Sequence, residues 1–341
     1  MAKRDIVVIG ASAGGMEALQ RLVGGLPGDL PASIFVVWHL PPGFQRSVLP
    51  HVLSKAGPLP ACQAEDGMRI ERGRIYVGAP DHHLLLERGT VKVAKGPKEN
   101  RFRPAVDPLF RSAAYVYGPR TIGIVLTGAL DDGTSGLWTI KMRGGTAIVQ
   151  DPDEALHPSM PQSALQNVAV DLTLRIADIG PALARLARED APASPHGQAE
   201  AEDQLATEVR IASETYPLEE NVMQYGSFSP FTCPECHGVL TALRDGAVER
   251  YRCHTGHAFS SGTLLNENTG EVEARLWDAV RALDESVMLL NRMGEQHATR
   301  GDAVTAEKYF EKARDALERG RAVREVAIST ETLAPEKLDA G

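Results

Sequence analysis

The chain has 341 residues, 43% of them hydrophobic and 24% charged, with a formal net charge of −9. That length suits one large α/β domain with smaller modules. No run reaches the roughly 18 apolar residues that span a bilayer, and Met1-Ala2-Lys3-Arg4-Asp5 leads into a strand rather than a signal peptide, so a cytoplasmic protein without membrane insertion is expected. Charge divides the chain: Lys and Arg number 21 against 17 Asp and Glu through Arg188, and 15 against 28 beyond it. The small positive balance of the first part suits an acidic protein substrate and is too weak to argue for nucleic acid.

The apolar run Ile6-Val7-Val8-Ile9 predicts a first strand, and Gly10-Ala11-Ser12-Ala13-Gly14-Gly15 follows it as a turn into a helix. Glycines there let the backbone turn sharply around an exposed serine hydroxyl, and amides at the helix start point where an oxyanion would form. A strand, a glycine-rich turn and a helix also describe a dinucleotide-binding unit, but two features weigh against it. Ser12 stands where the middle glycine would let a pyrophosphate approach, and the second predicted strand, Ile34-Phe35-Val36-Val37-Trp38, ends in His39 rather than in a carboxylate for the ribose. An imidazole can take a proton from a serine. A third apolar run, Ile122-Gly123-Ile124-Val125-Leu126, is followed by Thr127-Gly128-Ala129-Leu130-Asp131-Asp132-Gly133. In open α/β sheets ligands sit beyond the carboxyl ends of the strands, so Ser12, His39 and either Asp131 or Asp132 could meet there. The plain alternatives are an Asp-Gly turn and a structural histidine.

Together with His39-Leu40-Pro41-Pro42-Gly43-Phe44, Glu65-Asp66-Gly67 and Asn100-Arg101-Phe102-Arg103-Pro104-Ala105-Val106-Asp107, these motifs resemble the CheB-type protein-glutamate methylesterases of bacterial chemotaxis, over roughly residues 4 to 187. The resemblance implies a doubly wound, mostly parallel α/β sheet, with Ser12 as nucleophile, His39 as general base and acid, and Asp132 orienting His39. It implies hydrolysis of glutamate methyl esters on a methylated chemoreceptor, with no cofactor for catalysis. Amides near Ala13 and in the Gly128 to Ala129 turn are the expected oxyanion donors. His157-Pro158-Ser159-Met160-Pro161 resembles the Met-Pro stretch near the family's active-site rim, and Arg101 and Arg103 lie in a segment that resembles its arginine-rich loop; a loop packed on the core and a solvated face are the alternatives. Members often carry an N-terminal receiver domain, whereas here the first strand begins near residue 5, so phosphorylation control on this chain is not expected. His82 and His83 are expected in a solvated turn without a role.

A domain boundary is expected after residue 188, with residues 189–205 as a flexible linker because Asp190 to Asp203 holds no aromatic or large apolar residue. Residues 206–262 then hold three of the four cysteines. Cys233-Pro234-Glu235-Cys236 is followed after sixteen residues by Cys253-His254-Thr255-Gly256-His257, with Val239 to Leu243 and Glu249 to Arg252 as the strands between. This spacing predicts a zinc-ribbon-like module in which Cys233, Cys236, Cys253 and His257 close a structural zinc site. His257 is preferred over His254 because Thr255-Gly256 gives it reach. A redox Cys-x-x-Cys is the alternative, without a thioredoxin-like pattern around it. Cys62 reads as a small buried hydrophobe.

Leu276, Val280, Leu283, Val287 and Leu290 form a helical seam, Gly301-Asp302 breaks it, and Ala306, Phe310, Ala313 and Leu317 resume it. Residues 263–330 are thus expected as a helical hairpin, serving as a dimer interface, a docking arm or simple packing, and residues 331–341 as a frayed tail. Three function classes follow: a receptor methylesterase; a serine hydrolase or glutamine deamidase on another protein; or a scaffold whose C-terminal modules bind a receptor methyltransferase or kinase.

Overall fold

A computed structural model describes residues 2–39, 47–193, 199–213, 220 and 222–329. The Leu40 to Phe44 part of the second motif and the expected tail at 331–341 lie outside the described residues. The first half alternates strands and helices: β1 (Ile6–Ala11), α1 (Gly15–Gly24), β2 (Ser33–Trp38), α2 (Leu49–Ala56), β3 (Ala61–Gln63) and β4 (Ile75–Val77). A two-stranded hairpin of β5 (His83–Leu86) and β6 (Val91–Ala94) precedes α3 (Val106–Tyr117). Then come β7 (Thr121–Val125), α4 (Thr134–Met142), β8 (Thr146–Gln150), α5 (Ser159–Asn167), β9 (Leu172–Leu174) and α6 (Ile176–Leu186).

Seven of these strands form one parallel sheet in the order β3-β4-β2-β1-β7-β8-β9. Alternate residues along each strand point to opposite faces, and both faces are apolar. Val7, Ile9, Ile34, Val36, Ile122 and Ile124 pack with α1, α2 and α6, whereas Ile6, Val8, Phe35, Val37 and Val125 pack with α3, α4 and α5. Burial on both sides explains why the strands read as continuous apolar runs. The chain turns outward in order from β1 to β2 and then from β7 onward, so the switch point falls at β1. There the ends of β2, β1 and β7 lie level, with Ala11 beside Trp38 and Gly10 beside Val125.

The sequence reading divides the chain at residue 188, but the structure keeps Met1–Thr263 in one compact unit, with Leu264–Gly341 as a second. Residues 199–205, expected in a linker, open the helix α7 (Ala199–Ser213). Its alanine- and glutamate-rich start favours helix, and the following Leu205, Ala206, Ile211 and Ala212 are buried. Gly96 exists where it does because a Cβ would meet the Ala212 carbonyl oxygen at 2.2 Å.

An antiparallel sheet follows, β10 (Ser227–Thr232), β11 (Val239–Asp245), β12 (Val248–Cys253) and β13 (Ala258–Ser260). It is seated on the α/β part. Gly246, at φ +63°, turns β11 into β12 where a Cβ would strike the Trp138 ring of α4 at 2.3 Å, and the Ser135 hydroxyl donates to Asp245. Six charged side chains are buried nearby: Glu99, Arg111, Glu208, Asp245, Arg250 and Arg252. Arg252 donates to Glu99 and Glu208, Arg111 pairs with Glu99, and Arg250 pairs with Asp245 and Glu208. Three cations thus face three carboxylates, which is the condition under which buried charge is tolerated.

The helices α8 (Ser261–Thr299), which belongs to the second unit from Leu264 onward, and α9 (Ala303–Ser329) form an antiparallel hairpin in which Gly294 admits the Phe310 ring and the Leu283 side chain approaches Gly320. Gly301 takes φ +82° at the turn, and the Asp302 carboxylate accepts from the Thr305 amide at the start of α9. The seam on α9 differs from the expected one. Leu317 is exposed, while Ala306, Ala313, Gly320 and Ala327 are buried at seven-residue intervals.

Candidate active site

Ser12 stands one residue beyond β1, held by its own amide donating to the Thr127 carbonyl at 3.0 Å. Gly14, at φ +75°, then turns the chain into α1. Gly10 has a different purpose: a Cβ there would meet Val106 Cγ1 at 2.3 Å, so its absence lets the start of α3 lie against β1. His39 directly follows β2 and continues the ladder, its amide donating to the Ala11 carbonyl. Asp132 follows β7 through a turn in which Leu130 has φ +62°, a left-handed conformation.

The three side chains form a series. The Ser12 hydroxyl donates to His39 Nδ1 across 3.1 Å, and His39 Nε2–H donates to Asp132 at 2.7 Å. Asp132 is buried, and it also accepts from the Val106 amide at 2.7 Å, the Asp107 amide at 3.2 Å and Asn100 Nδ2 at 2.9 Å. Burial alone would raise its carboxyl, but the bonds from His39, Val106 and Asn100 hold it below the usual carboxylate range. Asp107 goes the other way. Burial first and the Asp132 charge second push it well up, although it caps α4 by accepting from the Gly133 and Gly136 amides. Asp131, the other acid of the pair, is directed away from His39: it accepts from the hydroxyls of Ser260 and Thr263, and burial raises its carboxyl.

Several neighbours fix the geometry. Phe102 stacks on the imidazole of His39, with centroids 3.7 Å apart and planes 7° from parallel. Trp38 Nε1–H donates to the Ser12 carbonyl at 2.9 Å, and the Thr127 hydroxyl bridges Ala13 and His157. Gly128 is wedged behind the nucleophile, where a Cβ would lie 2.8 Å from Ser12 Cβ and 2.0 Å from Met160 Sδ. In front of Ser12 an open cleft of about 650 Å³ is lined by Met16, Glu17, Gln20, Trp38 and Phe102.

Some expectations need correction. The Gly128 amide donates to the His157 carbonyl at 2.9 Å, so it is not the free oxyanion donor expected. Met160 is buried behind Gly128, so it packs on the core rather than contacting substrate. Arg103 does not face solvent freely, since it pairs with Asp81 and donates to the Gly96 carbonyl. His83 opens β5 fully buried, with Nε2 donating to the Pro97 carbonyl and Nδ1 accepting from Ala105, and burial lowers its imidazole. Asn100 and Phe102 lie inside the Asn100 to Asp107 motif, whose pattern alone assigns neither a task.

A second constellation lies at the end of the antiparallel sheet. Donor atoms of Cys233, Cys236, Cys253 and His257 all fall within 4.8 Å of one another, forming a possible Cys3His metal site. Cys236 and Cys253 sulfurs are 3.7 Å apart, and His257 Nδ1 is 3.8 Å from Cys233 and 3.7 Å from Cys253. Donors about 2.3 Å from a tetrahedral ion would stand about 3.8 Å apart, so the four residues fit such an ion. Its neighbours Cys233, His257 and Thr255 hold the Cys253 thiol far below its usual value, while the neighbouring Cys253 and burial push Cys233 up.

A doubly wound parallel sheet with hydroxyl, imidazole and carboxylate in series at its switch point defines an α/β protein of the serine-hydrolase type in arrangement. The CheB methylesterase profile matches residues 7–183, and the chain belongs to that family. Over 193 residues it is 35% identical to a Methanosarcina mazei protein named protein-glutamate methylesterase/protein-glutamine glutaminase 2, covering 54% of this chain and 52% of that one. A Thermotoga maritima protein named protein-glutamate methylesterase/protein-glutamine glutaminase is 39% identical over 173 residues, half of each chain. The chain thus spans about half the length of the curated relatives it matches. The crystal structure of the Thermotoga maritima CheB methylesterase catalytic domain superposes with a TM-score of 0.51 at 37% identity, covering 55% of this chain and 99% of that one.

Proposed function

We infer that this chain hydrolyses glutamate methyl esters on a methylated chemoreceptor. The observation that carries the reading is the unbroken hydrogen-bonded series Ser12, His39, Asp132 at the ends of three adjacent strands, facing an open cleft. Ser12 Oγ attacks the ester carbonyl while His39 Nδ1 takes its proton, and Asp132 stabilises the imidazolium through Nε2–H. The oxyanion is received by the Ala13 amide at the start of α1. Collapse expels methanol, protonated by His39, and leaves an acyl-serine. Water, deprotonated by the same nitrogen, then releases the glutamate carboxylate and restores Ser12. The printed names of the relatives join a glutaminase to the esterase, and the same series would attack a glutamine side-chain amide, with ammonia leaving in place of methanol.

The residues at the second constellation suit zinc: three thiols and one imidazole fill a tetrahedron and leave no open position for substrate, so the ion would serve structure. No helix among the described residues is long and apolar enough to cross a membrane. A receptor methyltransferase, a kinase or a second copy could meet the exposed Trp277, Met288 and Leu289 of α8. The test is methanol release from methylated chemoreceptor by the full chain beside Ser12→Ala. Loss of release by about 10⁴-fold or more in the variant is expected; no release by the folded wild type refutes the reading.

A further inference from the structure

One short segment, residues 98–102, joins the metal-ligating loop to the serine–histidine–aspartate series. The Ala258 amide, next to His257, donates to the Lys98 carbonyl at 3.2 Å, and the Asn100 amide donates to the Ala258 carbonyl at 2.8 Å. The Asn100 side chain is fully engaged. Its Oδ1 accepts from the Ser260 amide at 2.9 Å, and its Nδ2 donates to Asp132 at 2.9 Å and to Asp107 at 3.1 Å. Arg252 adds a second tie, donating to the Gly256 carbonyl at 2.6 Å, one residue before His257, and to Glu99 at 2.7 Å. Two residues beyond Asn100, Phe102 stacks on His39.

We propose that Asn100 is a positioning residue for Asp132, and that metal binding by Cys233, Cys236, Cys253 and His257 fixes Asn100 through β13, so that the metal site governs the relay from a distance. This rests on the esterase and metal readings above. A metal held by both Cys-x-x-Cys and the 253–257 loop converts that loop from a tether into a fixed edge. That edge carries Ala258 and Ser260, whose backbone groups hold Asn100 on both sides. A shift of about 1 Å in the orientation of Asp132 and His39 can lower turnover on the order of 10²-fold. The profile match ends at residue 183, so the coupling uses residues outside the matched region.

The test crosses two changes in the full chain: Asn100→Gly, and removal then return of Zn²⁺. Glycine suits the site because Asn100 has φ +48°, so the substitution removes the amide with little backbone strain. Two quantities are read: amide hydrogen exchange over residues 99–107, where the Val106 and Asp107 amides donate to Asp132, and kcat and KM for methanol release. Stripping zinc from the wild type should speed exchange in this segment at least about tenfold and lower kcat on the order of 10- to 100-fold with KM held within about twofold, all restored by Zn²⁺. Loaded Asn100→Gly should show a comparable loss of kcat, and stripping it should add little, because the link is already cut. Unchanged exchange and kcat on stripping would overturn the proposal. So would additive losses, or global unfolding on stripping, which would make the ion a prop for the whole unit. Absent methanol release by the loaded wild type defeats the esterase reading, while the exchange measurement still decides the coupling.

Discussion

Replacing Arg252 by methionine should destabilise the chain by about 3 kcal/mol. Arg252 is fully buried and gives three charge-assisted hydrogen bonds, to Glu99, Glu208 and the Gly256 carbonyl. Such bonds contribute roughly 1.5–3 kcal/mol each, and removing one partner of a buried pair typically costs about 3–5 kcal/mol. Two features draw the value toward the lower end. Methionine retains much of the apolar stem, and Arg111 and Arg250 still face the two carboxylates, so neither is left alone. Adding Glu208→Gln should then cost less than it does by itself, because it restores the balance of buried charge; the coupling should reach about 1–2 kcal/mol. Urea unfolding of the full chain, followed by tryptophan fluorescence and far-ultraviolet circular dichroism, measures both. A single-variant loss under about 1 kcal/mol, or strictly additive losses in the double variant, would refute the view that these charges act as one cluster.

Other outcomes follow from the same geometry. Gly128→Ala should cost about 1–3 kcal/mol and lower kcat on the order of 10²-fold, because the Met160 sulfur can move aside but Ser12 Cβ, 2.8 Å away, cannot; a variant with wild-type kcat counts against the packing argument. Glu208 has its carboxyl held below the usual range, where burial is outweighed by Arg250, Arg252 and Arg111. A depressed carboxyl contributes stability above its unfolded pKa of about 4.3 that is lost as pH falls through the folded value, so Glu208→Gln should lessen the acid dependence of stability in that window. An acid titration of unfolding free energy as steep in the variant as in the wild type contradicts this. A fragment of residues 1–193 should melt well below the full chain, since it uncovers Glu99 and Arg111, each 2% exposed or less; equal melting temperatures would show that the antiparallel sheet gives the α/β part no support.

The parts of the site that could be read from sequence are those set by local pattern. Ser12, His39 and Asp132 each follow an apolar run, and level ends of parallel strands bring such residues together whatever the intervening chain does. The choice between Asp131 and Asp132 rests on the family resemblance and not on spacing, because the two acids are adjacent after one turn and differ only in their partners, Ser260 and Thr263 for Asp131 and His39 for Asp132. Asn100 was illegible for another reason: the Ser260 amide that holds it lies 160 residues away. Likewise Arg250 and Arg252 are expected only as part of a strand, whereas pairing with Glu208 and Glu99 buries them. A count of charge along the chain cannot distinguish a solvated face from a neutralised interior, and the linker expectation misses the helix at 199–205 because a run without large apolar residues can still be rich in the helix formers alanine and glutamate.

The buried positions of α9 recur at 306, 313, 320 and 327, each alanine or glycine. A strict seven-residue recurrence is shorter than two turns of an undistorted helix, so keeping that stripe against α8 requires the two helices to coil about each other in a left-handed sense. Small side chains let the backbones approach closely, and the Phe310 ring resting in the notch at Gly294 pins the alignment along the axis. Sliding α9 by one turn would put Phe310 against a position that carries a Cβ. The hairpin therefore has one favoured register, and twisting or translation applied at its far end would pass along its length as a rigid movement rather than be absorbed as slip.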